Sequence, residues 1–181
     1  MNATGFALFP TAIGHCAIAW SGRDIVGSQL PGNDESATRR RMQRRFPDAR
    51  EAPPPPNVVR AIDGVTALLA GEHDDLSGIT LHTSDLAEFD RRVYAAARAI
   101  PPGETITYGE LAKRIGESHG AQAVGQTLGR NPFAPIVPCH RIVAADGTMH
   151  GFSAAGGVNT KLHLLTIEGW RSAEPTLFEP A

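Results

Sequence analysis

The sequence predicts an α/β N-terminal domain over 1–84, a small antiparallel sheet with helices, followed by a mainly α C-terminal domain with a helix-turn-helix over 85–181. Three observations predict it. Apolar runs broken by turn residues fill the stretch from Gly5 to Leu30. Apolar residues then recur at helical spacing from Leu86 to Ile100. Two short helical segments joined by a polar turn follow Pro101-Pro102-Gly103, which is the shape of a helix-turn-helix.

In order, Gly5 to Leu30 reads as β-hairpin material: an apolar strand over His15–Trp20, a turn at Ser21-Gly22-Arg23-Asp24, and a second strand over Ile25–Leu30. Cys16 lies in the first strand and reads as a small buried hydrophobe. Asn33 or Asp34 can cap a helix running to about Phe46 that carries Arg39, Arg40, Arg41, Arg44 and Arg45. Such a run is either a solvated helix face or a phosphate-binding one. Pro53–Pro56 make a stiff spacer, a helix covers about Val58–Ala70, and Ile79–His82 reads as a last strand.

Thr83-Ser84-Asp85 marks the boundary and offers caps for the helix of Leu86, Phe89, Val93 and Ile100. Thr107 and Glu110 have the spacing of a capping box, opening a helix that ends at Gly116. The next helix, Ala121–Gly129, is rich in small residues: Ala121, Ala123, Gly125, Thr127 and Gly129. Small side chains permit close approach, either to another helix of the core or to the narrow minor groove of DNA.

Composition narrows the class without naming it. No apolar run is long enough to span a bilayer, and no basic-then-apolar segment opens the chain. Two distant cysteines make no framework of the secreted kind, so a reducing cytoplasm is the expected location. The net charge of −2 argues against a general nucleic-acid coat, yet its placement is uneven. Up to Glu88 there are 8 arginines against 11 acids (−3), and beyond it 9 basic against 8 acidic residues (+1).

The chemistry concentrates in Ile136-Val137-Pro138-Cys139-His140-Arg141-Ile142-Val143. The proline and the β-branched neighbours predict a short rigid segment leading into a buried strand, so the thiol of Cys139 would be held by its backbone. A thiol attacks as thiolate, and an imidazole in reach, directly or through water, can take its proton. A bare Cys-His pair also reads as a buried cysteine beside a surface histidine. The longer string decides between them. Asn131-Pro132, a five-residue spacer, Pro138-Cys139-His140-Arg141-Ile142-Val143 and then Ile167-Glu168-Gly169 resemble the active-site signature of the O6-alkylguanine-DNA alkyltransferases, also called methylated-DNA–protein-cysteine methyltransferases.

That resemblance is densest from about Phe89 to Gly169, and the first 85 residues follow it in order of elements only. It implies a protein that binds duplex DNA through the minor groove, flips out an alkylated guanine and moves the O6-alkyl group to its own cysteine. O4-alkylthymine stays open as a second lesion. Carried over by position, Cys139 is implied as acceptor, His140 as the base acting through a water, and Glu168 as the carboxylate orienting that imidazole. Asn131 is implied to tie the helix end to the active-site strand, and Tyr108 to donate to the guanine leaving group. Arg141 is implied to hold its loop. Ala121, Gln122, Ala123, Gly125 and Arg130 fall on the implied DNA-facing helix, and Val137, Pro138, Phe152 and Ser153 around the implied substrate pocket. No cofactor, metal or membrane is implied. A thioether has no easy hydrolytic exit, so one molecule would repair one base and be spent.

The chain departs from that pattern in three places. Gln122 stands where the family usually has an arginine that fills the space left by the flipped base. The family's Gly-Tyr-x-Gly-Gly loop reads Gly151-Phe152-Ser153-Ala154-Ala155-Gly156-Gly157, with a hydroxyl lost and two residues inserted. Tyr94 replaces a common tryptophan. Two other classes stay in view: a protein that binds alkylated guanine to flag it without repair, and a thiol hydrolase using the same Cys-His-Glu trio, which would also need an oxyanion hole.

Overall fold

Strand periodicity builds the first half of the molecule. β1 (Gly5–Thr11), β2 (Gly14–Ser21) and β3 (Asp24–Gln29) follow one another as antiparallel hairpins. The turns pass through Gly14 and Gly22 at φ of 119° and 58°, backbone that a β-carbon would strain. The computed structural model describes residues 2–171 apart from 73, 147 and 150, so the end of the expected second domain, 172–181, lies outside the described residues.

Successive side chains point to opposite faces of a strand, and both faces of this sheet are covered. Phe6, Ala17, Ala19 and Val26 pack with Met42 and Phe46 of the α1 region on one side. Ala7, Phe9, Cys16, Ile18, Trp20 and Ile25 face the main core on the other. α1 (Glu35–Arg45) starts at Asp34, whose carboxylate accepts from the Ala37 amide at 2.6 Å. α2 (Pro56–Leu69) has Pro56 in its first turn and buries Val58, Ala61, Val65, Leu68 and Leu69 at helical spacing. Each of these valines and leucines contributes about 1.5–3 kcal/mol when fully buried.

The sheet differs from expectation in two respects. β4 (Arg50–Glu51) joins the edge of β1 in parallel, giving the order β3-β2-β1-β4, so the sheet is mixed rather than purely antiparallel. Ile79–His82 does not form a strand. It makes a single bridge from Leu81 to Ile25, and the His82 amide donates to the Ile25 carbonyl at 2.8 Å. Asp74 and Asp75 accept from the amides of Leu76 and Ser77, each at 2.8 Å, and these turns leave too short an extended run for pairing.

α3 (Glu88–Arg98) opens the second half, burying Val93, Tyr94 and Ala97. Its N-cap is Ala87 with no side-chain hydrogen bond, so Thr83-Ser84-Asp85 forms a turn ahead of the helix rather than its cap. β5 (Ile106–Thr107) leads into α4 (Tyr108–Arg114), where the capping box forms: Glu110 N donates to Thr107 Oγ1 at 3.1 Å, and Thr107 N to Glu110 Oε2 at 2.7 Å. α5 (Ala121–Gly129) packs against α4. A single 3-10 turn, Cys139–Arg141, runs into β6 (Ile142–Val143), which pairs in parallel with β5. α6 (Val158–Ile167) closes the core.

One apolar cluster runs from Ile18 and Leu68 through Val93 and Phe133 to Leu164, so the two halves share a core. The loop after α5 lies along the exposed edge of β3. Ser28 N donates to Pro132 O at 3.0 Å, Arg45 Nη2 donates to the same oxygen at 2.9 Å, and Ser28 bridges Phe133. The edge strand is thereby paired, and the segment that precedes Cys139 is fixed to the sheet. Among the described residues no helix is long and apolar enough to cross a membrane.

Candidate active site

Cys139 sits at the start of the 3-10 turn, 8% exposed. The preceding segment is buried without a break from Pro135 to Pro138. Asn131 Nδ2 donates to Val137 O at 2.7 Å and lies 3.3 Å from Cys139 Sγ, while Asn131 Oδ1 accepts from the Phe133 amide at 2.9 Å. One side chain at the end of α5 thus spans the loop and touches the sulfur. Burial pushes the Cys139 thiol pKa up. The Asn131 hydrogen bond, the charge of Lys161 and the amides of Cys139 and His140 offset part of that rise.

Behind the sulfur lies a buried charge cluster. His140 Nε2 is 2.8 Å from Glu168 Oε1, with side-chain exposures of 1% and 2%. Arg141 clamps the same carboxylate, Nε to Oε2 at 2.9 Å and Nη2 to Oε1 at 2.7 Å, and gives Nη1 to the Ile100 carbonyl at 2.5 Å. Burial alone would raise the Glu168 carboxyl, but hydrogen bonds from His140 and Arg141 and their charges hold its pKa at about 2. Glu168 is therefore an acceptor at neutral pH, so His140 carries its proton on Nε2 and keeps the Nδ1 lone pair free. Burial also depresses the His140 pKa against the pull of Glu168, leaving a neutral imidazole able to accept a proton.

Lys161 is the residue that sequence reasoning missed. It is fully buried on α6, its Nζ donating to the Ile142 carbonyl at 2.6 Å and lying 5.9 Å from the Tyr108 ring centroid. Burial lowers its pKa while Cys139 pulls it back up, so ammonium and thiolate favour one another. A signal was present: Lys161, Leu164, Leu165 and Glu168 fall at i, i+3, i+4 and i+7, a buried stripe in which a lysine is out of place. Lys161→Met keeps the stem and removes the charge. The Cys139 thiol should then titrate at higher pH, measured as the pH profile of its reaction with a soluble thiol reagent. An unchanged profile would show that the ammonium does not act on the sulfur.

The other expected site residues are distributed as follows. Tyr108 is half-buried at the start of α4, its ring 3.8 Å from where a Gly125 β-carbon would stand. Burial, then the neighbouring Cys139, raises the Tyr108 pKa, which keeps its hydroxyl a donor. Gln122, Ala123, Gly129 and Arg130 are exposed on one side of α5 and Val124, Thr127 and Leu128 are buried on the other, with Ala121 and Gly125 between. Arg130 lies 3.6 Å from Asp90. Phe152 and Ser153 line a small cavity beside Cys139. Val137 is fully buried and Pro138 buried, and neither side chain lines that cavity; Val137 contributes its carbonyl, bound by Asn131. Arg141 does more than hold a loop, because it shares Glu168 with His140. Cys16, buried with its pKa raised to about 12 by burial, stays a thiol inside the sheet.

A chain of thiol, imidazole, carboxylate and guanidinium, built on a loop held by an asparagine, can generate a nucleophilic thiolate beside a phenol. Comparison with known proteins agrees with that chemistry. A family profile described as "6-O-methylguanine DNA methyltransferase, DNA binding domain" matches residues 88–170. The methylated-DNA–protein-cysteine methyltransferase of Mycobacterium bovis is 42% identical over 129 residues, 70% of this chain and 75% of that protein. The chain belongs to this family. The bifunctional transcriptional activator/DNA repair enzyme Ada of Escherichia coli is 35% identical over 166 residues, 92% of this chain and 46% of that longer protein. In three dimensions, Mycobacterium tuberculosis OGT in complex with DNA matches with a TM-score of 0.73 and 31% identity, over 91% of this chain and 92% of that one. The structural match with the OGT–DNA complex thus extends over the β-sheet region as well as the helices.

Proposed function

We propose that the protein repairs DNA by moving an alkyl group from O6 of guanine to Cys139 in a single, self-inactivating turnover. The observation that carries this reading is Cys139 Sγ, 3.3 Å from Asn131 at a cavity wall, with the neutral His140 and the ionised Glu168 buried behind it. The Cys139 proton passes to His140 Nδ1, through a water because no direct hydrogen bond joins sulfur and imidazole among the described residues. Sulfur then attacks the alkyl carbon in line, the S–C bond forms and the C–O6 bond breaks. The released electron pair stays on guanine, where the Tyr108 hydroxyl offers a hydrogen bond and the proton removed from the thiol is finally returned. Lys161 favours the charge on sulfur, and Glu168 stabilises the charged imidazole.

In this reading 1–84 and 85–181 act as two domains, and α4 and α5 form a helix-turn-helix. The exposed side of α5, with Ala121, Gln122, Ala123, Gly125 and Arg130, enters the minor groove of duplex DNA. Phe152 and Ser153, with the Val137-Pro138 backbone, enclose the extruded base. The test is intact mass after incubation with duplex DNA carrying O6-methylguanine. A stable gain of one methyl, mapped to the Cys139 peptide, is expected. Binding without a mass change would assign a damage-flagging role instead, and ester turnover a hydrolase.

Gln122 sets how well extrusion is supported. Flipping a base costs a few kcal/mol, and a side chain that fills the gap recovers part of it. A guanidinium stacks on bases and carries charge, whereas Gln122 offers a neutral amide. Gln122→Arg should speed repair in duplex DNA by about tenfold, the equivalent of about 1.4 kcal/mol. Reaction with the free alkylated base should change little, since that substrate needs no extrusion. Equal gains on both would move the effect to the pocket.

A further inference from the structure

The small cavity beside Cys139 is walled from one side by the N-terminal half of the chain, which the chemistry described so far does not use. Its lining includes Ser28, Gln29, Arg41 and Arg45 together with Cys139 and Ser153. Ser28 and Gln29 are both 4% exposed, yet Ser28 Oγ and Gln29 Oε1 have no hydrogen-bond partner. Gln29 is not free to turn away: its Nε2 donates to the Thr38 carbonyl at 2.8 Å, which fixes the amide. Buried polar atoms left unpaired are costly, and of the two the Ser28 hydroxyl can donate to a group entering the cavity.

The charge at this wall is one-sided. Arg45 is half-buried, its guanidinium laid over β3 where a Gly27 β-carbon would stand 2.8 Å from Nη2, and it donates to Pro132 O. Among the described residues neither Arg41 nor Arg45 has a carboxylate partner in any ion pair. Burial, and then the like charge of Arg41, lower the Arg45 pKa to about 10, still far above neutrality. Two uncompensated guanidiniums and a buried hydroxyl without a partner face a cavity of about 40 Å³, space for one or two water-sized groups.

We infer that Ser28, Arg41 and Arg45 form a subsite for the far end of the O6 substituent, selecting alkyl groups that end in a carboxylate. The inference rests on the alkyltransferase reading. In-line attack puts sulfur, the reacting carbon and O6 on one line, so the rest of the substituent must leave that line sideways, into the cavity wall. Ser28 donates to the carboxylate and the guanidiniums supply charge, while Gln29 Oε1, an acceptor only, makes no bond to it. Transfer of a carboxymethyl group balances as methyl transfer does: S–C forms, C–O6 breaks, and the thiol proton ends on guanine.

The experiment compares single-turnover rates on duplex DNA carrying O6-carboxymethylguanine, O6-propylguanine and O6-methylguanine, read by intact mass. Carboxymethyl and propyl groups are similar in length, so their ratio isolates the oxygen-bearing end, and methyl transfer reports the underlying activity. The wild-type protein should favour carboxymethyl over propyl by about tenfold, one charge-assisted hydrogen bond in magnitude. Arg41→Met and Ser28→Ala remove groups without fold-holding partners, and each should reduce that ratio at least about threefold. High salt should reduce it in the wild type, because the attraction is electrostatic. A wild-type ratio of one or less, with methyl transfer intact, overturns the subsite alone. Arg41→Met lowering all three rates equally also overturns it, and would place Arg41 on a DNA phosphate instead.

Discussion

Cys139→Ser abolishes alkyl transfer while leaving the fold and DNA binding in place. Serine is smaller than cysteine by little, and Asn131 Nδ2, now 3.3 Å from sulfur, still finds an acceptor. The loss lies in the nucleophile. A hydroxyl is far less acidic than a thiol, and neither Lys161 nor a His140–Glu168 pair makes an alkoxide at neutral pH. The expected change is complete loss of mass gain, with retained binding to duplex DNA. Cys16→Ser is the control, because Cys16 is buried in the sheet with its pKa raised to about 12. Alkyl mass on the Cys16 peptide, or residual transfer in Cys139→Ser, would remove Cys139 from the centre of the reaction.

How much of this was legible in the sequence follows from how local each signal is. Asp34, one of the two caps offered for α1, and the Thr107–Glu110 pair cap their helices, because a cap depends on a few neighbouring residues. Thr83-Ser84-Asp85, by contrast, does not cap α3, which starts after Ala87. Glu168 was legible only through the resemblance carried by Ile167-Glu168-Gly169, since nothing local to that helix end shows that its carboxylate meets His140 and Arg141. What the sequence did not reveal is pairing between distant segments. Arg50–Glu51 becomes a strand only because β1 offers its edge, and Ile79–His82 fails as one because two aspartate-capped turns precede it. The subsite wall was illegible for the same reason. Arg41 and Arg45 read first as part of a solvated helix face, and only the docking of Pro132 against Ser28 and Arg45 brings them to Cys139.

Glu168 joins catalysis to stability, and Glu168→Gln separates the two. In the folded protein its carboxylate receives two contacts from Arg141 and one from His140, all buried. Replacing the charge by an amide leaves the Arg141 guanidinium buried without a counter-ion, at a cost on the order of 3–5 kcal/mol. The pH dependence gives a second, independent signature. The folded carboxyl has its pKa lowered to about 2 from the ordinary glutamate value of 4.5. Its stabilisation is therefore present above about 4.5 and is lost as pH falls towards 2, because the unfolded chain binds the proton first. The span corresponds to about 3 kcal/mol at 1.36 kcal/mol per unit. His140 adds to the same acid limb, since burial lowers its pKa and the unfolded chain protonates it first as pH falls below about 6.5. Glu168→Gln should thus lower stability at pH 7 and flatten the loss of stability between about pH 4.5 and 2, measured by denaturant titrations across that range. The same variant should raise the apparent pKa of the Cys139 thiol, because an imidazole without its carboxylate is a poorer proton acceptor. Equal acid limbs in the two proteins would mean that Glu168 is already protonated in the folded state, and the relay through His140 would lose its negative end.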